Sequence, residues 1–380
     1  MLKKIKYPHF RPHLKVAYTI HFYGYKGIFK KDRILKYVGL DYEQCRLCVS
    51  CGENCPLDRI DLLSPMAQNE LNVTPSQMSF MKAGIEFADV VTTVSEGYAK
   101  ELRRYPDCMN IQVIGIRNGL AQQRYHFSED SGFMDINGEA LCGLNGEEEK
   151  EKAALLLETK RNNKARLQEK LGLREESSIP LICMVSRLTA VKGIEVVKCI
   201  VQELLAIPTQ LVIVGDDDDR VGRPYATFFH GLEQRYPGEF AYRSFSEELE
   251  LQTYAGADMV LMPSLSEACG TTQMLAMRYG AVPIVSMISA FEDTVLDFKS
   301  RGKKADPRYW GKGIGFYAYK DDCWVLLEVI KKAAAIYRNE ESAGEWAKIA
   351  VDCAKVRFGW KNGSIRKYLE LYHRLAETSL

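Results

Sequence analysis

Short apolar runs punctuate the second half of the chain: Leu181–Val185, Leu211–Val214, Met259–Met262 and Val282–Val285, each bounded by polar or turn-forming residues. Unbroken apolar runs of this length suit strands buried on both faces of a parallel sheet. Helix-length amphipathic stretches alternate with them, at Ile194–Leu205, Tyr225–Tyr236, Leu249–Ala255 and Thr272–Tyr279. The alternation predicts a doubly wound α/β domain, in which ligands bind outside the carboxyl ends of the strands. The turns after Val185, Val214 and Met262 are therefore the first places to look for a site.

The first half carries the same pattern more sparsely. Strands are predicted at Val16–Ile20, Val90–Val94 and Ile111–Ile116, and helices over Pro75–Phe87 and Glu96–Arg104. Those strands are few for an independent doubly wound domain, so an incomplete N-terminal domain is expected. From Ser128 to about Glu151 the chain is polar and acidic, including Gly146-Glu-Glu-Glu-Lys-Glu-Lys152, which reads as a connection or insertion. A helix from about Lys152 to Leu171 should lead into the second domain. The expected division is 1–127, a linker at 128–160, a second domain at 161–355 and a C-terminal helical segment at 356–380.

Composition narrows the function. The chain has 380 residues, 46% of them hydrophobic, enough for two α/β domains. A net charge of +1 with scattered basic residues argues against nucleic acid as the main partner. No apolar run approaches the ~20 residues that span a bilayer, and the basic N-terminus has no apolar stretch behind it, so a cytoplasmic protein is expected. Of the eleven cysteines, Cys108, Cys142, Cys183, Cys199, Cys269, Cys323 and Cys353 are dispersed, and most of them, lying among apolar neighbours, are expected as small buried hydrophobes in a reducing compartment. The other four are bunched at Cys45, Cys48, Cys51 and Cys55.

The most informative segment runs from Pro263 to Val285. The strand Met259–Met262 enters it, Glu267 sits in its turn, and Gly270-Thr271-Thr272 opens a helix whose first N–H groups lack intrahelical partners. Such a turn suits an anion or a polyhydroxylated ligand. Its wording resembles the sugar-nucleotide loop of the glycogen and starch synthases. The resemblance extends to Thr19-Ile-His-Phe-Tyr-Gly-Tyr-Lys-Gly-Ile-Phe29, Ser79–Asp89, Thr93-Val-Ser-Glu-Gly-Tyr98, Asn118-Gly119, Ser186-Arg-Leu-Thr-Ala-Val-Lys-Gly193 and Phe358-Gly-Trp360. It implies two Rossmann-like domains facing a cleft (the GT-B type), with a C-terminal helix that crosses back onto the first. It implies retaining transfer of glucose from ADP- or UDP-glucose to an α-1,4-glucan, with no cofactor required. The family's K-x-G-G-L-x-D-V loop has no counterpart ahead of Thr19, T-G-G is replaced by Ile288-Ser-Ala290, and the Asp of N-G-I-D by Ala121.

By this resemblance Arg187 and Lys192 hold the leaving diphosphate, a role for which a planar fork and a point charge are both suited. Glu267 positions the glucosyl unit and stabilises positive character at its anomeric carbon. Cys269, Gly270, Thr271 and Thr272 belong to the substrate-binding loop, His21 and Asn118 touch the donor glucose, and Phe245 stacks on the base. Read without the family, a lone His at a strand end is usually structural, an Asn before Gly is a turn, and Phe245 is equally a core residue. Gly215-Asp-Asp-Asp218 suggests a metal by its carboxylates, but a solvated turn by its place after a strand. The run Cys45-x-x-Cys48-x-x-Cys51-x-x-x-Cys55-Pro56 matches the bacterial ferredoxin spacing, so an iron–sulfur cluster or zinc stands against a reduced cysteine-rich loop. Three functions follow as expectations: a glucosyltransferase; a non-catalytic glucan or nucleotide-sugar binder or one subunit of a split synthase, partnered by a polypeptide supplying the missing segment; and a redox-sensing metal protein.

Overall fold

The computed structural model describes residues 15–30, 77–121, 126–136, 138–216, 220–298, 314–318, 322–339, 341 and 343–377. The chain divides into two compact units, residues 1–118 with 363–380, and residues 119–362. The cysteine run at Cys45, Cys48, Cys51 and Cys55, and the acidic turn beyond Asp216, lie outside the described residues.

In the first unit the order is β1 (Ala17–Ile20), β2 (Ile28–Lys30), β3 (Gln77–Ser79), α1 (Phe80–Phe87), β4 (Val90–Thr93), α2 (Glu96–Leu102) and β5 (Val113–Gly115). Strands β1, β4 and β5 form a parallel sheet in the order β1-β4-β5, while β2 and β3 pair antiparallel. Threonines stitch the sheet: Thr93 Oγ1 donates to Ile20 O at 2.6 Å, and the Thr19 and Thr92 hydroxyls lie 2.8 Å apart. Ser79 and Ser95 cap α1 and α2 by accepting from the N–H groups of Lys82 and Tyr98. The helix expected from Pro75 starts only at Phe80, because Gln77–Ser79 pair with Ile28–Lys30, a partner that local periodicity does not see.

The second unit contains α3 (Gly146–Leu171), β6 (Leu181–Arg187), α4 (Ile194–Leu205), β7 (Gln210–Asp216), α5 (Gly222–Arg235), β8 (Phe240–Ser244), α6 (Glu247–Gly256), β9 (Met259–Met262), α7 (Thr272–Arg278), β10 (Val282–Ser286), β11 (Phe316–Ala318), α8 (Cys323–Arg338) and α9 (Ala343–Ala354). Its sheet is wholly parallel, in the order β11-β10-β9-β6-β7-β8. Leu181, Ile182, Val212, Ile213, Met259, Val260 and Ile284 are fully buried at its centre. The strands that the sequence reading did not pick out, β8 and β11, are the two edges of this sheet. Helix α10 (Ser364–Glu377) belongs to the first unit, where Ser364 Oγ donates to Arg117 O at 2.6 Å and Lys367 pairs with Glu96.

The stretch 128–160 is not a linker. It lies inside the second unit, and Gly146 to Lys152 is the first part of α3 rather than a loop. Its acidic residues Glu147, Glu148 and Glu149 sit at the positive end of the helix dipole, and Gly172 ends the helix at φ 72°. Asn163 on α3 clamps the preceding segment, accepting from Met134 N at 2.9 Å and donating to Met134 O at 2.8 Å. The Cys142 thiol donates to Lys355 O at 3.1 Å, and Lys355 pairs with Glu149.

The cysteine expectation also needs correction. Cys108, Cys183, Cys269 and Cys353 are buried thiols outside any disulfide, and burial pushes the Cys183 thiol up to about 12. Cys199 and Cys323, however, form a disulfide between α4 and α8. The packing of those helices brings their Cα atoms to 6.3 Å, within bonding range, which apolar sequence neighbours could not indicate. Among the described residues no helix is long and apolar enough to cross a membrane, and no cluster of His, Cys, Asp or Glu could hold a metal ion.

Candidate active site

Because the second sheet is parallel, all its carboxyl ends share one edge. The residues following β9, β6, β7 and β8 are therefore laid out along that edge in the order of the strands. Glu267 and Thr272 follow β9; Arg187 ends β6 and Lys192 follows it; Asp216 ends β7; Phe245 follows β8. These residues and Glu250 of α6 line one cavity of about 290 Å³, over Met184, Val185, Leu261 and Met262. A carboxylate, two cations, a second carboxylate and an aromatic ring thus follow one another.

The two central loops are joined. Leu265 N donates to Val191 O at 2.8 Å. Gly193 has φ +78° and faces the Pro263 carbonyl, where a β-carbon would overlap it. Only glycine meets both demands at low cost. The result brings Lys192 into an ion pair with Glu267, with side chains 21% and 13% exposed. Arg187 is exposed at the strand end.

In the loop between Glu267 and α7, Cys269 is buried and Gly270 has φ +66°. Gln273 fixes the turn from beneath: its Nε2 donates to Cys269 O at 3.1 Å, to Gly270 O at 2.8 Å and to Thr294 Oγ1 at 2.9 Å. Thr271 makes no side-chain cap, while Thr272 lines the cavity. Phe245, donating from its N–H to Gly215 O at 3.0 Å, is 46% exposed, so it forms the rim and not the core.

Two cavity residues escaped the sequence reading. Asp216 lay within a run read as a solvated turn. Glu250 lay within the acidic first turn of α6, where nothing separates it from Glu247 and Glu248. Glu250 is half-buried and accepts from Tyr254 Oη at 3.1 Å. Burial raises its pKa above the usual carboxylate value, with the Tyr254 hydrogen bond opposing. Tyr254 is fully buried and is also hydrogen-bonded to the Thr272 side chain.

His21 and Asn118 lie in the first unit. Both follow parallel strands, β1 and β5, so they share the strand-end edge of that sheet. His21 is exposed, and the chain beside it is held by Tyr23, whose N–H donates to Tyr98 Oη at 2.8 Å and whose hydroxyl donates to Asp107 at 2.6 Å. Asn118 is half-buried and donates from its N–H to Val94 O at 3.1 Å.

The chain is similar to known proteins along most of its length. Residues 1–114 match the starch synthase catalytic domain family, and residues 163–308 match the glycosyl transferases of group 1. The glycogen synthase of Caldicellulosiruptor bescii is 32% identical over 391 residues, covering 99% of this chain and 70% of that protein. That of Caldicellulosiruptor saccharolyticus is 33% identical over 387 residues, with the same coverage. The catalytic domain of starch synthase IV from Arabidopsis thaliana, solved bound to ADP and acarbose, superposes with a TM-score of 0.73 at 24% identity, covering 96% of this chain and 67% of that one. The fold is accordingly of the GT-B class. On these similarities the chain belongs to the glycogen and starch synthase family of glycosyltransferases.

Proposed function

We propose that the chain transfers glucose from ADP- or UDP-glucose to the non-reducing end of an α-1,4-glucan with retention of configuration. The observation that carries this reading is the order Glu267, then Lys192 and Arg187, then Phe245 along one strand-end edge and around one cavity. A nucleoside diphosphate sugar has the same order: a polyhydroxylated ring, a dianionic diphosphate, a ribose and a planar base.

In this reading Arg187 and Lys192 neutralise charge that grows on the departing diphosphate, the part of the reaction where preorganised cations lower the barrier most. N–H groups at Gly270, Thr271 and Thr272 add to that stabilisation, and Cys269 holds the loop from within the core. Glu267 orients the sugar hydroxyls and opposes positive charge at the anomeric carbon. The leaving diphosphate takes the acceptor's proton on the same face, which retains configuration without a protein nucleophile. Phe245 covers the base. His21 and Asn118 remain assignments of the family resemblance, made on the first unit's own strand-end edge.

The test is incubation of the chain with labelled ADP-glucose or UDP-glucose and a maltooligosaccharide primer. Label should enter longer chains and be released by an α-1,4-specific amylase. Nucleotide binding without elongation from either donor would overturn the transferase reading in favour of a binding protein.

A further inference from the structure

We propose that Glu250 accepts hydrogen bonds from the ribose hydroxyls of the donor nucleotide and thereby makes the cavity selective for ribonucleotides. This rests on the donor-site reading above. Along the strand ends the cations lie between Glu267 and Phe245. A nucleotide sugar laid in that order puts its ribose between the cations and the ring. At neutral pH the diphosphate offers only acceptors, and a carboxylate turned toward it repels it. The ribose offers a pair of vicinal hydroxyl donors, which one carboxylate can accept together.

The cavity has three carboxylates to consider. Glu267 is paired with Lys192. Asp216 is exposed at the end of β7. Glu250 is half-buried on α6, the helix that follows Phe245, and lines the same cavity. Its position is fixed at both ends. Ser246 caps the helix by accepting from Leu249 N at 3.2 Å, and Tyr254, one turn further on, donates its hydroxyl to Glu250 Oε1 at 3.1 Å. Tyr254 takes one of the roughly four acceptor positions of the carboxylate. A carboxylate held this way is oriented before the ligand arrives, and an oriented acceptor discriminates strongly against a ligand lacking the matching hydroxyl.

Calorimetric titration of ADP, 2′-deoxy-ADP and inorganic pyrophosphate into the wild type, Glu250→Ala, Glu250→Gln and Arg187→Ala tests the assignment. The wild type should bind ADP about tenfold or more tighter than 2′-deoxy-ADP, the loss expected for one hydrogen bond to a charged group. Glu250→Ala should bind ADP more weakly by a similar factor, lose the discrimination and keep its pyrophosphate affinity. Glu250→Gln, which retains one acceptor oxygen, should fall between. Arg187→Ala should weaken all three ligands and keep the discrimination. Undiminished discrimination in Glu250→Ala, or equal loss of pyrophosphate and ADP affinity in it, would overturn the proposal while leaving the donor site standing. Failure of the wild type to bind either ADP or pyrophosphate would overturn both.

Discussion

Lys192 is ion-paired with Glu267, joining the loop after β6 to the loop after β9 at the mouth of one cavity. The pair decides how the two residues respond to substitution. A phosphate entering beside Lys192 shares the ammonium with Glu267, so the lysine both attracts the ligand and masks a carboxylate that would repel it.

Both Arg187→Ala and Lys192→Ala should therefore weaken ADP binding, each by ~1.5–3 kcal/mol, the range for a charge-assisted contact. Lys192→Ala also uncovers Glu267, so adding Glu267→Gln to Lys192→Ala should restore part of the affinity. Isothermal titration of the single and double variants checks this rescue, and equal affinities in all of them would remove the diphosphate assignment.

Glu267→Gln alone should separate binding from chemistry. The amide keeps the shape and a hydrogen-bonding oxygen but removes the charge that opposes a developing cation. Turnover should fall by about 10²–10³, the loss typical of one preorganised electrostatic contact. Nucleotide affinity should hold or rise, since a negative charge beside an anion site is gone. A variant that loses ADP affinity and keeps its turnover at saturation would contradict this role.

Much of this arrangement could be read before any coordinates. The Met259–Met262 run is β9 as it stands, and the central strands β6, β7 and β10 declare themselves because a strand buried on both faces must be apolar throughout. Arg187, Lys192, Phe245, Glu267 and Thr272 were singled out in the sequence, and one cavity gathers them. What stayed hidden has two causes. β8 and β11 are sheet edges, and Gln77–Ser79 is a strand only because Ile28–Lys30, distant in sequence, pairs with it. Gly146–Lys152 is helix despite a composition that reads as loop, because Glu147, Glu148 and Glu149 suit the positive end of its dipole. Glu250 was invisible because its acidic neighbours share its chemistry, and only the fold brings it to the cavity.

Gly193→Ala should disturb the donor site without touching a ligand. The residue sits at φ +78° against the Pro263 carbonyl, so a methyl group there meets backbone and not a flexible side chain. A strained left-handed residue costs ~1–3 kcal/mol, and relief requires moving the loop that carries Lys192. ADP affinity and thermal stability should fall together. A variant with wild-type values for both would show that the two loops can separate freely.

The buried pair Lys164–Asp258 should be a stability determinant. The charged atoms lie 2.8 Å apart with side chains 3% and 8% exposed. Each has further partners: Asp258 accepts from Leu181 N at 2.9 Å, and Lys164 donates to Ile179 O at 2.6 Å. Lys164→Met would leave a buried carboxylate without its cation, at a cost of ~3–5 kcal/mol. Asp258→Asn combined with Lys164→Met should cost less than the sum of the single changes. Urea unfolding measures the coupling, and strict additivity would mean that the pair does not act as a unit.

Lys160 supplies a pH signature of the same core. It is buried on α3, and its ammonium reaches the carbonyls of Tyr254, Ala255 and Tyr279 at 3.4, 3.4 and 3.0 Å, near the carboxyl ends of α6 and α7. Burial lowers its pKa from 10.5 to about 8, with the nearby Asp258 charge opposing. Below about pH 8 the folded and unfolded chains both carry this proton, and the group adds no slope. Above it the folded chain has released a proton that the unfolded chain still binds, so this residue makes stability rise with pH until the unfolded lysine titrates. The slope it can add is at most about 1.4 kcal/mol per pH unit. Cys183 acts in the opposite sense above its unfolded value of 9.0, and the raised tyrosines do so above 10.0, so the useful window ends near the first of these. Urea unfolding of the wild type and Lys160→Met from pH 7.5 to 9 isolates the contribution. The wild type should gain stability relative to the variant across that interval, by up to about 1 kcal/mol. Curves that stay parallel would show that Lys160 keeps its proton in the folded core.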